Sequence, residues 1–315
     1  MTVCDADNEL DTDGFDLRVE RVGPAQQQSA LALLAGGGRG RTRQTRRFLR
    51  DEGINLDHFW IVRHEGRPLL TLLVAVRPGR SGLLIHSPLD RRPVMMVGLT
   101  RAARAAADSF DSQQVLMLQA LLDLDRSSAS RALARAGFED LAVLSCLRLR
   151  VGGAGSDTAD QRGDWCSWSE ANRPLFVAAI EASYEQTRDC SGLVGLRPTD
   201  DVLAGHMASG DGMEPDLWRV CLIDGQPAGV VLMNPIRQRR SMGLVYLGVA
   251  SRWRGQGVGS DLLAWAQAET SRRGFSHLEL SVDEVNEPAI RLYRRAGFQR
   301  AARKRVMICR LKSRD

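Results

Sequence analysis

The chain has 315 residues, of which 43% are hydrophobic and 26% charged, with a formal net charge of +5 and a pI near 9.1. That length is too long for one average domain and suits two, and the composition excludes a disordered, collagen-like or mainly membrane-embedded chain. The basic residues are spread along the sequence, and Lys304 and Lys312 are its two lysines, which reads as the solvated surface of an arginine-rich protein from a GC-rich bacterium rather than a nucleic-acid stripe.

Residues 1–14 are acidic and polar, without the basic start and apolar core of a secretory signal. Apolar runs such as 69–76 are strand-sized and too short to span a bilayer. A cytoplasmic location without membrane partners is therefore expected. Cys4, Cys146, Cys166, Cys190, Cys221 and Cys309 form no CxxC pair and no Cys/His cluster, so reduced structural thiols and no bound metal are expected.

In chain order, residues 59–62, 69–76 and 83–86 read as strands, 94–108 as a helix, 115–120 as a strand and 141–149 as a further strand after Gly137-Phe138. The loop Ser87-Pro88-Leu89-Asp90-Arg91-Arg92-Pro93 joins a strand to a helix without a glycine. Residues 151–163 are small and polar, which predicts a flexible linker. The expected domains are 1–150 and 165–315, joined by 151–164. Arg135-Ala136-Gly137-Phe138 recurs 160 positions later as Arg295-Ala296-Gly297-Phe298, each time between a helical pattern and an apolar run, and a duplication accounts for that best.

In the second half, residues 173–184 and 199–207 read as helices, with Pro174 in the first turn of the former. Residues 217–223 and 229–233 read as a hairpin across Asp224-Gly225. A buried strand is expected at 244–249, then a helix at 257–273 stopped by Gly274. Residues 276–283 alternate His277, Glu279, Ser281 and Asp283 against Leu278, Leu280 and Val282, the pattern of a strand with one polar face. A helix at 289–295, stopped by Gly297, and a strand at 298–311 complete a mixed sheet with helices packed on it.

The chemistry concentrates in this half. Leu247-Gly248-Val249 leads into Arg254-Gly255-Gln256-Gly257-Val258-Gly259-Ser260, and glycines at a strand-to-helix loop let backbone N–H groups close on an oxyanion. The unpaired amides and positive dipole end of the helix suit a pyrophosphate. No Gly-Lys-Ser/Thr follows, which excludes a Walker loop, and the spacing does not match the dinucleotide fingerprint GxGxxG. Downstream stand Leu280-Ser281-Val282 and Asn286-Glu287-Pro288-Ala289-Ile290-Arg291-Leu292-Tyr293-Arg294-Arg295-Ala296-Gly297-Phe298. Together these segments resemble the GNAT (GCN5-related N-acetyltransferase) family, with Arg254-x-x-Gly257-x-Gly259 similar to its motif A and 286–298 to its motif B.

The resemblance implies an α/β (α+β) fold of two tandem GNAT-like domains, each a mixed, mostly antiparallel sheet with helices on both faces, the first degenerate. It implies acetyl-CoA as co-substrate and an amine-bearing acceptor, a small molecule or peptide, acetylated by direct attack. The backbone of Leu247, Gly248 and Val249 is expected to bond the pantetheine arm. Arg254, Gly255, Gln256, Gly257, Val258, Gly259 and Ser260 are expected to hold the pyrophosphate. Asn286 is expected to contact the cofactor, and it equally suits an N-cap. Tyr293 matches the family's general acid, although Ile290, Tyr293 and Phe298 also share an apolar face. The base is open: Ser281 stands where families that acetylate protein N-termini often carry Glu, and Glu279 and Asp283 on the same strand face are candidates, with a solvated face as the plainer reading. Tyr246 and the segment 184–190 are candidates for lining the acceptor site; Cys190 lacks a neighbouring His and is a poor nucleophile. In the first half, Leu133 stands opposite Tyr293 and Arg126 opposite Asn286. An acyl-CoA-binding regulatory module without catalysis is the alternative.

Overall fold

A computed structural model describes residues 14–125, 127–152 and 162–311. By its contacts the chain divides into two compact units. One takes the residues up to Val76, Arg80–Asp140 and the segment from Met307 onward; the other takes Arg77–Gly79 and Leu141–Val306. Among the described residues no helix is long and apolar enough to cross a membrane.

In the first unit β1 (Leu17–Arg21), β2 (Phe59–His64) and β3 (Arg67–Arg77) form antiparallel neighbours. β4 (Ser81–His86) then pairs in parallel with β5 (Met117–Asp123) through the crossover helix α3 (Pro93–Ala107). Alternation along β3 decides the layers. Leu70, Leu72 and Val74 pack with Leu99 of α3 and Leu133 of α4 (Ser127–Arg135), while Leu73 packs with Leu31 of α1 (Gln27–Leu34) and Leu49 of α2 (Arg39–Asp51). A strand whose two faces are both buried needs apolar residues at nearly every position, which is what 69–76 supplies.

The second unit opens with β6 (Glu139–Arg150), whose residues Leu144 to Arg150 pair antiparallel with β11 (His277–Asp283). β7 (Asp164–Ser167), β8 (Trp218–Ile223), β9 (Gln226–Ile236) and β10 (Ser241–Val249) continue as antiparallel neighbours. Asp224 (φ 52°) and Gly225 (φ 70°) turn β8 into β9, with two left-handed residues as a tight hairpin requires. α5 (Arg173–Tyr184) and α6 (Thr199–Met207) pack on one face, with Phe176, Ile180 and Leu203 buried. α7 (Val258–Arg272) covers the opposite face with Val258, Leu262 and Ala266. Truncating a fully buried ring such as Phe176 to Ala is expected to cost about 3–5 kcal/mol.

α8 (Glu287–Arg295) leads into β12 (Gln299–Arg310). α4 and α8 stop identically. Gly137 and Gly297 both have φ of 90°; Phe138 N–H bonds Leu133 O and Phe298 N–H bonds Tyr293 O, each at 3.0 Å, and Gly137 and Gly297 bond Ala134 O and Arg294 O, each at 3.0 Å. This is the Schellman arrangement, and it explains why the tetrapeptide repeats.

The boundary by contacts falls at Asp140/Leu141 rather than in the 151–164 segment, because β6 finds its partner in β11. Most of that linker (153–161) and Arg126 lie outside the described residues. The closing segment from Met307 counts in turn with the first unit, where Leu311 N–H bonds Leu116 O at 2.9 Å.

Candidate functional site

The site begins where two strands part. β10 pairs with β11 only from Ser241 to Gly243, opposite His277 to Glu279. On its other side β10 stays paired with β9 as far as Val249, with a register shift between Leu244 and Tyr246. An extra residue bends one strand away from its neighbour, so the β11-facing edge of 244–249 carries backbone groups outside that ladder. Leu247, Gly248 and Val249 are on this stretch. Gly248 is needed for close packing, since a Cβ there would stand 2.6 Å from Ser183 Oγ.

The loop after β10 opens α7. Gly257, with φ of 93°, is the residue before its first turn and supplies no side-chain cap. The N–H groups of Ser260 and Asp261 turn back to Gly257 O at 2.9 and 3.1 Å, which leaves the amides of Val258 and Gly259 at the open positive end of the helix. Gly255 is also left-handed, at φ 76°. Arg162, which sequence reasoning placed in the linker, lies over this loop. Its Nε pairs with Asp261 Oδ2 at 2.8 Å, it donates to Gln256 O, and a Cβ on Gly257 would meet its guanidinium at 2.5 Å.

Arg254 stands differently from a residue aimed at an anion. Its guanidinium donates to Val249 O (3.1 Å), Gln186 O (3.3 Å) and Ser183 O (2.9 Å), so it ties the end of β10 to the end of α5 and the following loop. Gln256 turns back likewise, with Nε2 donating to Arg252 O at 2.8 Å.

At the far end of β11, Asp283 is buried. Its Oδ2 accepts from Cys190 N–H at 3.1 Å and its Oδ1 from Val285 N–H at 3.3 Å, while its own N–H donates to Asp189 Oδ1 at 2.9 Å. Asp189 is accessible to solvent yet closely ringed by protein: burial raises its carboxyl above the usual range, the Asp283 N–H offsets part of the rise, the Asp283 charge adds to it, and the Asn286 amide offsets a further part. Burial, with Asp189 and Asp283 nearby, pushes the Cys190 thiol up to about 12, so it stays protonated at neutral pH. Asn286 caps α8 by accepting from Ala289 N–H at 3.4 Å. Tyr293 is buried on α8 with its ring edge-on to Phe298 at 5.5 Å; burial, then the Asp189 charge, raises its phenol well above the ordinary value.

Glu279 lies at the paired end of β11. It accepts from Ser241 Oγ at 2.8 Å and forms ion pairs with Arg148 (3.2 Å) and Arg239 (3.7 Å). It shares a face with Ser281 beside a cavity of about 570 Å³ that also touches Cys146, Asn234, Gly243 and Val245. On the α5 side, Tyr246 shares a 2.6 Å hydrogen bond with Ser183 Oγ, which also bonds Ile180 O. The His206 ring lies against Tyr246 at 5.5 Å, and burial, with Arg197 behind it, holds the imidazole neutral, pushed down to about 4.

Leu247–Val249, the α7 opening, Asn286, Tyr293 and Glu279 all belong to the second unit, with Glu279 at the end of β11 that still pairs with β10. Sequence reasoning missed Arg162 as a neighbour of the loop and left Asp189 as one residue among the segment 184–190. Among the described residues no group of three or more His, Cys, Asp or Glu side chains is placed to hold a metal.

Residues 206–298 match the family described as Acetyltransferase (GNAT) family. Streptothricin acetyltransferase of Streptomyces lavendulae is 37% identical over 75 residues, 24% of this chain and 40% of that protein. The chain therefore spans less than half the length of this curated relative. A solved GCN5-related N-acetyltransferase from Sphaerobacter thermophilus shares the fold at 19% identity and a TM-score of 0.63, over 94% of this chain and 96% of its own. A tandem GNAT protein from the clavulanic acid biosynthesis pathway aligns over 95% and 100% of the two chains, at 15% identity and a TM-score of 0.50.

Proposed function

We infer, from the match of residues 206–298 to the Acetyltransferase (GNAT) family, that the protein is an acetyl-CoA-dependent N-acetyltransferase that transfers acetyl directly to an amine. The observation that carries this reading is the parting of β10 from β11 beside a helix that opens on a left-handed glycine. The free strand edge suits an extended amide-bearing arm, which adds to a sheet as a further strand would. The α7 opening suits a diphosphate, and its fit is supported by the amides of Val258 and Gly259 behind the left-handed Gly257. Arg162 adds a cation where the negative group would lie.

Tyr293 acts as the acid. A phenol held above its ordinary pKa stays protonated throughout the neutral range and is present there as a proton donor. A protonated Cys190 is no nucleophile, which favours direct attack over an acyl-enzyme. The cavity beside Val245 and Ser281 is lined by Glu279 and Gly243 and by neither Tyr293 nor Leu247 to Val249. Glu279, already paired with two arginines, is better suited to holding β6 and β10 around that cavity than to taking a proton.

Two measurements test the reading. Calorimetry is expected to detect CoA binding. Release of free thiol from acetyl-CoA is expected with at least one member of a panel containing a peptide, spermidine, kanamycin and L-lysine. CoA binding without release from any of them would return the reading to a regulatory module.

A further inference from the structure

The loop between α5 and α6 has no motif, yet its backbone is fixed at two difficult points. Gln186 and Cys190 are both left-handed, with φ of 51° and 45°, a conformation that a residue with a side chain adopts at a cost of order 1 kcal/mol or more. Each has a specific holder. Arg254 donates to Gln186 O, and Asp283 accepts from Cys190 N–H. Asp189, between them, has its own N–H on Thr187 Oγ1 at 3.1 Å and one carboxylate oxygen on Asp283 N–H at 2.9 Å. The loop is thereby aimed at the parting of the strands, where the charge of Asp189 is felt by both Tyr246 on β10 and Tyr293 on α8. Asp189 is open to solvent; Asp283 is not.

We propose that the Asp189 carboxylate is the general base that takes the proton from the acceptor's ammonium group, with Asp283 and Arg254 as the positioning residues that hold its loop. The proposal rests on the acetyl-transfer reading of this site. In the step, R–NH3+ gives one proton to Asp189. The freed lone pair forms a C–N bond at the thioester carbonyl carbon, and the C–S bond breaks with the thiolate taking the Tyr293 proton. The tyrosinate recovers a proton from the amide nitrogen, and Asp189 releases its own to water. A base set beside Asp283 and ringed by protein has a proton affinity nearer to that of its task than an ordinary carboxylate. The role fills the place that Ser281, exposed on β11, cannot. Asp283 from β11, Tyr246 from β10, Tyr293 from α8, Cys190 from the loop itself and Arg254 are the titratable and charged groups that surround it.

The test uses the full chain and whichever of spermidine, kanamycin, L-lysine and a peptide the wild type acetylates fastest. Asp189→Asn is expected to lower kcat by about 100-fold or more with CoA affinity unchanged by calorimetry. The acid limb of the kcat profile, where activity falls as the carboxylate is protonated, should disappear, and Asp189→Glu should restore part of both. An Asn variant with wild-type kcat and an intact acid limb overturns the assignment and leaves the transferase reading standing. A wild type that acetylates none of the four overturns both together.

Discussion

α4 and α8 stop at the same tetrapeptide with the same two hydrogen bonds, but the residue whose carbonyl receives the final bond is Leu133 in the first unit and Tyr293 in the second. α3 and α7, the crossover helices of the two parallel strand pairs, begin in opposite ways. α3 starts on Pro93, which has no N–H, after Arg92, whose N–H and guanidinium are both held by Asp90 at 2.9 and 2.8 Å. α7 starts on Val258, after a left-handed Gly257 that has no side chain to cap its amides. The architecture survives both changes, because caps and apolar periodicity carry it. Chemistry sits on a few positions that can be exchanged without disturbing either.

The comparison breaks most readily at the helix openings. Gly257→Glu places a side chain at φ of 93° and a negative charge where a diphosphate is expected, and should weaken CoA binding about 1000-fold, about 4 kcal/mol; Arg92→Glu should leave the affinity unchanged, and calorimetry on both variants decides it. Next come the paired positions at the helix stops. Leu133→Ala, at a fully buried site, should remove about 2–5 kcal/mol of stability in chemical denaturation without altering CoA affinity. Tyr293→Phe should do the reverse, lowering kcat about 100-fold while denaturation midpoint and CoA affinity hold.

Acid should separate the units by a smaller margin. His206, lowered from 6.5 to about 4 by burial and Arg197, binds its proton more readily unfolded than folded. The stability this contributes is present above pH 6.5 and is lost as pH falls toward 4, on the order of 3 kcal/mol. His58 of the first unit is lowered as well, by burial and by Arg21. Hydrogen exchange between these pH limits should show α6 opening in the wild type and the slope flattening in His206→Gln. The smallest effect belongs to the cap of α8, where Asn286→Ala should cost about 1 kcal/mol, read as a shift in the denaturation midpoint.

Much of this architecture was legible in the residues. Helices at 173–184 and 199–207 have the expected limits, because Pro174 and the apolar period mark them. α7 is shorter than expected by one residue at each end, and β11 by one residue at its start. β9 runs longer, Gln226–Ile236, since Pro227 and Pro235 interrupt an apolar pattern that the ladder tolerates. α2 was hidden because Phe48 and Leu49 are nearly its only apolar residues and glycines precede it; β1 and β7, at 5 and 4 residues, are too short for a period to show. Of the candidate site, the glycine loop and Tyr293 carry local signatures. Asp189 carries none: its anchor Asp283 is 94 positions away, and pairing at that range leaves no spacing to read. Nor does periodicity reveal which strand another will join, and so β6 was assigned to the half in which it is encoded.

The placement of the two closing strands bears on how the protein is made. Because the first unit includes the segment from Met307 onward, a ribosome that has finished 1–140 has not yet supplied everything that unit needs, and its β5 side must wait uncovered while more than half the chain is still being translated. Domain-by-domain folding behind the ribosome would leave the first unit without its last segment until the end of translation. Severing the gene near its midpoint would give two fragments, each missing a strand that the other encodes.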